Sequence, residues 1–249
     1  MSSGTTSTRV TWLGHSTTRI TLDDVTLLTD PVLRRRVAHL RREGAVDQAA
    51  LAGIDAVLVS HLHMDHLDMR SFSRLERSLR VVLPKGGGSI LRRRGFTNVV
   101  EVEAGDEVTI GAVTVHVTPA DHHVQRVPLG RTTASVGFLV RGTRTVYFAG
   151  DTDLFPGMAE LAGADIALLP ISGWGPKLPA GHLNPETAAE ALRLLTPRVV
   201  IPIHWGTYAP LHLPAAASGP EREFARHAAA LAPEVEVQVL PVGGEYRQD

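Results

Sequence analysis

The early part of the chain is patterned for strands, and the later part alternates strand and helix patterns. Short β-branched, apolar segments at Arg9–Leu13, Thr17–Leu22 and Val25–Thr29 predict a strand meander. Asp23-Asp24 suits a tight turn between the last two, with no glycine to reinforce it. Ile54–Ser60 (IDAVLVS) reads as a buried strand, and Met69–Leu79 as a helix entered through Leu67-Asp68. Val81–Pro84 is a strand, and glycines 86 to 88 loop into a short helix over Ser89–Arg94. Further strands are predicted at Asn98–Val102, Glu107–Ile110 and Ala112–Thr118, and a hairpin at Ser135–Arg141 and Thr145–Ala149. A short helix starts at Met158–Leu161, and Ile166–Ile171 is another buried strand. Pro185–Leu195 carries the clearest helix signal: Asn184 as N-cap, Pro185 in the first position, and Glu186 at the positive end of the dipole. Val199–Ile203, a helix over Glu221–Ala232 and a strand at Val235–Leu240 follow. This order predicts an α/β sandwich, with sheets covered by helices on both outer faces.

One segment is ambiguous in pattern. In Pro31–Arg42 (PVLRRRVAHLRR), Leu33, Val37 and Leu40 share a helical face opposite Arg34, Arg35 and Arg41. Such a helix could dock on an anionic surface or bind phosphate; a solvated basic segment is the plainer reading. No repeat, low-complexity tract or linker divides the chain, so residues 1–249 are expected to form a single domain. The polar start MSSGTTSTRV lacks a signal-peptide apolar region, and no apolar run approaches the roughly 20 residues that span a bilayer. The expectation is a soluble, cytoplasmic protein.

Composition narrows the chemistry. Hydrophobic residues make up 43% and charged residues 20%, an ordinary globular mix. A net charge of −1, from 25 basic and 26 acidic residues, gives no general pull toward nucleic acid. With no cysteine, a metal must be held by His, Asp, Glu or backbone oxygen. The 12 histidines are therefore informative, because imidazole is the commonest metal ligand among side chains. His39, His116, His212 and His227 read as scattered surface or capping residues.

The cluster His61-Leu62-His63-Met64-Asp65-His66 directly follows the strand IDAVLVS. In extended backbone His61 and His63 point to the same side, while Asp65 and His66 lie where the chain can curl toward a second ion. Three more candidate sets sit just beyond predicted strands: Asp121-His122-His123, Asp151 after the Gly150 turn, and His204. Each alone has a bland reading as a cap or a hydrogen-bonded core residue, but their joint occurrence at strand ends points to one site.

The HxHxDH run, the GDT at Gly150–Thr152 and the IHWGT at Ile203–Thr207 resemble the metallo-β-lactamase superfamily. Within it the pattern is similar to the branch of N-acyl-phosphatidylethanolamine phospholipase D and the ascorbate-6-phosphate lactonases. The matching stretches run in order over most of the chain: TWLGHST (11–17), LLTDP (27–31), IDAVLVSHLHMDHLD (54–68), TPADHH (118–123), YFAGDT (147–152), ALLPI (167–171), GHLNPETAAEAL (181–192) and IPIHWGT (201–207). The resemblance implies a four-layer αββα sandwich of two mixed sheets packed face to face. It also implies that His61, His63 and His122 hold one metal, that Asp65, His66 and His204 hold a second, and that Asp151 bridges them. His122 is preferred over His123 because the TPxxH segment places the ligand there. His15 and Asp30 are expected behind the ligands, with His15 alternatively touching substrate. Asp65, Asp151 and His182 are the candidate catalytic residues, His182 lying in the Gly/Pro-rich loop Trp174–Asn184 as helper to the leaving group.

Two divalent ions lower the pKa of a shared water from about 15.7 toward neutrality, which supplies a nucleophile without Ser or Cys. Zinc suits so many imidazoles, with manganese or iron as alternatives. A phosphodiester, lipid-like or small, is the first substrate expectation, and a sugar-phosphate lactone or small ester the second. Several readings are set aside. RNA processing lacks a basic arm. A redox diiron protein of the oxygen-reducing branch carries Glu where this chain has His63. A non-catalytic binder would not need every metal position filled. Peripheral membrane contact is not favoured, and the pattern is silent on oligomeric state.

Overall fold

In the computed structural model, which describes residues 7–37, 40–122, 124–125, 132–172, 178–210 and 219–248, the apolar segments form strands whose two faces are both covered. In chain order these are β1 (Thr8–Gly14), β2 (Thr17–Leu22), β3 (Val25–Thr29), β4 (Arg36–Val37), β5 (Leu40–Arg42) and β6 (Ala56–Leu58). Helix α1 (Met69–Phe72), β7 (Arg80–Pro84), helix α2 (Gly88–Arg92), β8 (Val99–Val102), β9 (Glu107–Ile110), β10 (Val113–Pro119), β11 (Val124–Gln125) and β12 (Thr132–Thr133) follow. The remainder is β13 (Val136–Arg141), β14 (Thr145–Phe148), β15 (Ile166–Pro170), α3 (Pro185–Leu195), β16 (Val199–Ile203), β17 (Tyr208–Pro210), α4 (Pro220–Leu231), β18 (Glu236–Val237) and β19 (Glu245–Gln248).

Two mixed sheets result, ordered β19-β1-β2-β3-β6-β7-β8 and β18-β16-β15-β14-β13-β10-β9. Each is antiparallel at one side and parallel at the other. The parallel steps are the ones that need crossovers, and there the helices sit. Strand alternation sorts side chains into layers. Val136, Phe138 and Val140 of β13 join Val10, Trp12 and Leu27 in the core between the sheets. Ala167 and Leu169 of β15 turn outward onto Ala188, Leu192 and Phe224 of α3 and α4. Val57 and Val59 turn outward onto Phe72 and Leu91, beside α1 and α2. The architecture is thus the expected four-layer αββα sandwich.

Local chemistry explains the joints. Asp23 and Asp24 both adopt positive φ (49° and 61°) between the paired ends Leu22 and Val25, a two-residue hairpin turn that Asp tolerates without glycine. The Asp23 carboxylate accepts from Thr143 N (2.6 Å) and Oγ1 (2.5 Å), tying this turn to the β13–β14 turn of the other sheet. Helix α3 has the expected bounds, with Asn184 Oδ1 accepting from Glu186 N and Thr187 N.

Three expectations are corrected. The helix over Met69–Leu79 stops at Phe72, after which Arg74 N and Leu75 N bond three residues back. Ser73 Oγ donates to the Arg70 carbonyl, the local competition that disfavours helix continuation. Pro31–Arg42 is no helix: β4 and β5 form a hairpin that Tyr208 and its strand β17 join from across the chain. Leu33, Val37 and Leu40 are buried, the last two against Val32 and Tyr208, so the apolar face expected of that helix is used in packing. The last apolar segment contributes only Glu236–Val237. Strand β19, which pairs with β1, carries no apolar alternation to reveal it. Among the described residues no helix is long and apolar enough to cross a membrane.

Because Phe138 fills the space between the sheets at 0% exposure, Phe138→Ala is expected to cost about 3–5 kcal/mol in urea unfolding with an unchanged slope. A loss below about 1 kcal/mol would mean that this layer collapses around the gap.

Candidate metal centre

The candidate residues lie on the loops that leave β1, β3, β6, β10, β14 and β16, all at one rim of the sandwich. After β6 the chain runs without regular structure through His61 to a bend at His63. It then turns, with His66 N and Leu67 N both donating to the His63 carbonyl, and this carries Asp65 and His66 to the second cluster. Three non-glycine residues at strand ends hold left-handed backbone: His15 (φ 55°), Asp30 (φ 31°) and His204 (φ 63°). Such conformations cost roughly 1–2 kcal/mol each. They are held by His204 N to the His15 carbonyl (3.0 Å), Asp30 N to Leu58 O (3.0 Å) and His15 N to Thr207 Oγ1 (2.7 Å). Trp12, from the inner core, stacks on Trp205 and donates to the His15 carbonyl at 2.8 Å, so the core itself supports this turn.

Two groups of ligand-type atoms converge. In the first, His63 Nδ1 lies 3.0 Å from His61 Nε2 and 3.3 Å from His122 Nε2. In the second, Asp65 Oδ2 lies 3.2 Å from His15 Nε2, 3.4 Å from His66 Nε2 and 4.0 Å from His204 Nε2. Asp151 stands between them. Its Oδ2 is 3.1 Å from His66 Nε2, 3.4 Å from His204 Nε2, 3.5 Å from His182 Nε2 and 3.9 Å from His61 Nε2. His182 also meets the His122 ring at 4.6 Å.

The far side of each ring decides which nitrogen faces the site. Asp30, fully buried, accepts from Ser60 N (2.7 Å), Ser60 Oγ (2.5 Å) and His66 Nδ1 (2.7 Å). Ser60 Oγ in turn accepts from His61 Nδ1 at 2.9 Å. His204 Nδ1 donates to Ser172 O (2.7 Å) and His122 Nδ1 to Gly181 O (2.8 Å). With those protons placed, the Nε2 lone pairs of His61, His66, His122 and His204 are turned inward. Two glycines make room for this. A Cβ on Gly181 (φ 84°) would sit 2.8 Å from His122 Nδ1, and one on Gly150 (φ 64°) 2.5 Å from Ser60 Cβ.

This donor set fits divalent cations. The spacing of 3.0–3.3 Å between these ring nitrogens matches the edge of a tetrahedron with metal–nitrogen bonds of about 2.0–2.1 Å. His66 Nε2, His204 Nε2 and Asp151 Oδ1 are buried with no hydrogen-bond partner, an arrangement that is costly unless something positive joins them. Burial pushes His61 well below the usual imidazole range, lowers His63, and brings His122 to about 4, so the first cluster is neutral at pH 7. Burial and the neighbouring His204 take His15 to about 3. His66 goes the other way: against burial, the charges of Asp151, Asp65 and Asp30 hold it well above 6.5. Asp65 and Asp151 are held well below the carboxylate range, against burial, by the surrounding histidines. Burial raises Asp30.

All seven residues expected as ligands therefore meet at one place. His182 joins them through Asp151, and Asp30 stands behind His66. His15 comes closer than expected, touching Asp65 directly. His116 and His227 are elsewhere, beside Glu107 and Glu223. His39, His123, His212 and Trp174 lie outside the described residues. The sequence reading missed Ser60, which extends Asp30 to the first cluster, and Thr207, which fixes His15. Their positions beside His61 and in IHWGT were the available signal.

Residues 26–205 match the beta-lactamase superfamily domain. The chain belongs to the metallo-β-lactamase superfamily, among its metal-dependent hydrolases. It is 33% identical over 253 residues to a UPF0173 metal-dependent hydrolase of Methanopyrus kandleri, covering 96% of this chain and 100% of that one. A UPF0173 metal-dependent hydrolase of Rubrobacter xylanophilus is 34% identical over 251 residues, with 96% of each covered. Among solved structures, Igni18, a metallo hydrolase of Ignicoccus hospitalis, superposes with a TM-score of 0.71 at 22% identity. That superposition covers 98% of this chain and 99% of Igni18, a likeness of fold.

Because Asp30 orients one ring in each cluster, Asp30→Asn in this superfamily member is expected to weaken metal retention about 10–100-fold in chelator competition. Retention equal to the parent protein would remove the orienting role.

Proposed function

We propose that the chain hydrolyses a phosphodiester at a dinuclear centre. In this reading His61, His63 and His122 hold one divalent cation, Asp65, His66 and His204 hold another, and Asp151 lies between them. The observation that carries it is the convergence of two sets of ligand-type atoms on either side of one carboxylate, with His66 Nε2, His204 Nε2 and Asp151 Oδ1 buried without a hydrogen-bond partner. Such a cation pair, when bound, acidifies a shared water and polarises the oxygen of the bond under attack. Zinc is the proposed metal, since five of the six non-bridging ligands are imidazoles, with manganese or iron as the alternatives to test.

The chain's own residues do the rest. Asp30, through His66 directly and through Ser60 to His61, keeps both clusters in the tautomer that can bind a cation. Asp65 and Asp151 supply the negative charge that would offset two cations otherwise held by five neutral imidazoles. His182 is the proton donor to the departing oxygen. Among the described histidines that contact Asp151 it is the most exposed, at 14% of its side chain, and its Nδ1 is anchored on Pro179 O at 3.1 Å. The phosphodiester is preferred through the resemblance to N-acyl-phosphatidylethanolamine phospholipase D. Lactone or small-ester hydrolysis uses the same groups, so the substrate itself must discriminate.

Chelation is expected to abolish hydrolysis of bis(p-nitrophenyl) phosphate, and one metal restores it. A preparation that hydrolyses a lactone but no phosphodiester at equal metal content would overturn the substrate assignment. His182→Ala is expected to lower turnover about 10²–10⁴-fold with both metals retained. The loss should shrink for a nitrophenyl leaving group, which needs no proton. An equal loss for good and poor leaving groups would exclude proton donation by His182.

A further inference from the structure

The arginine-rich segment after Asp30 has no part in that chemistry. Residues 34–42 carry five arginines in a chain of net charge −1. Two are neutralised or enclosed. Arg34 Nε pairs with Asp68 at 2.9 Å, and buried Arg42 donates to the Val32 carbonyl (2.8 Å) and to the Leu13 carbonyl. The β4–β5 register then sets Arg36 directly opposite Arg41. Like charges in that position destabilise a strand pair. Arg41 gives one donor to Glu43 at 3.0 Å, and among the described residues Arg35 and Arg36 have no acidic partner. Arg35, Arg36, Arg41 and Arg42 line one cavity of about 430 Å³, with Glu43 at its wall. The Nε of Arg42, a residue 5% exposed, is buried without a hydrogen-bond partner.

We propose that this hairpin is an anion site that binds the phosphate group of a phosphorylated ligand. Three exposed guanidiniums offer planar forks, the geometry that takes phosphate oxygens two at a time, which a lysine ammonium cannot do. An anion seated between Arg36 and Arg41 turns their repulsion into shared attraction. It also explains why a nearly neutral protein concentrates like charge on a three-stranded patch. The hairpin reaches the metal centre through one packed column. Arg42 lies over the Tyr208 ring at 5.6 Å, and that ring stands edge-on to His15 at 5.8 Å. Strand β17 itself continues from the turn that carries His204 and Thr207. The site does not depend on the hydrolytic reading, because its donors are not the metal's.

The test is calorimetric titration of the full chain with inorganic phosphate and with phenyl phosphate, metal-loaded and chelated. A site that persists without metal is expected. It should be at least about tenfold weaker in Arg36→Ala/Arg41→Ala, intact in Arg93→Ala just after α2, and steeply salt-sensitive. Without phosphate the double variant should melt no lower than the parent, since a repulsive pair has gone, and phosphate should no longer raise its melting temperature. Binding that vanishes with the metal, or that the double variant keeps, overturns the proposal. Co-sedimentation with phosphatidylcholine vesicles containing phosphatidic acid separates the sources of the phosphate. Pelleting lost in the double variant identifies a lipid headgroup. Phenyl phosphate binding without pelleting identifies a soluble molecule. Absence of both pelleting and phenyl phosphate binding, with the protein folded, overturns the site.

Discussion

The buried carboxylate of Asp30 is the interaction on which the metal centre depends. It sits just past β3, accepts three hydrogen bonds from the start of the metal loop, and is fully enclosed. A lone buried charge costs several kcal/mol, and only complete satisfaction makes it tolerable. Here the satisfaction comes from the groups that must be oriented. Ser60 and His66 cannot rotate away without stranding the carboxylate, and Ser60 hands the constraint on to His61. One residue thus fixes a ring in each cluster and couples the pairing of β3 and β6 to the geometry of the site. The left-handed turns at His15, Asp30 and His204 are the strain that this precision requires, and the Trp12–Trp205 stack and Thr207 hold two of them in place.

How much of this was legible in the sequence follows from where each signal resides. Ligand residues were visible because they sit next to strongly patterned strands: His61 after β6, Asp151 after β14, His204 after β16. Helix α3 was visible to the residue because its cap, its proline and its apolar face all agree within one short window. What failed was whatever depends on a distant partner. Strand β19 has no apolar alternation and exists because β1 offers an edge. The β4–β5 hairpin has an apolar spacing that also fits a helix, and only Tyr208, far along the chain, decides between the two. The helix after Met69 failed for a local reason, the competing hydroxyl of Ser73.

The same distinction separates ligands from the groups that orient them. A histidine cluster is a compositional anomaly that a reader notices. Ser60, the Ser172 and Gly181 carbonyls and Thr207 are ordinary residues whose role exists only once the fold sets them at hydrogen-bond distance from a ring. Gly181 shows the point well. Its carbonyl fixes His122, and its missing Cβ is what lets the ring approach, so one residue acts by what it has and by what it lacks.

Taken together, the site and the hairpin locate two different uses of uncompensated charge. At the metal centre, inward lone pairs and carboxylates are held close in a buried setting. The charges of Asp151, Asp65 and Asp30, which raise the His66 pKa against burial, mark how strongly that setting draws a cation. At the hairpin, opposed guanidiniums are held on an exposed strand pair, where a phosphate would be drawn instead. Neither arrangement improves folding: the first buries partnerless polar atoms and the second aligns like charges. A stable sandwich with three apolar layers can carry both, because the cost is confined to one rim while the stabilising burial lies in the layers beneath it. Stability gained from a ligand that binds only the folded chain grows with ligand concentration, so both sites would be most stable when occupied. The rim, rather than the core, is therefore where this sandwich departs from what folding alone would select.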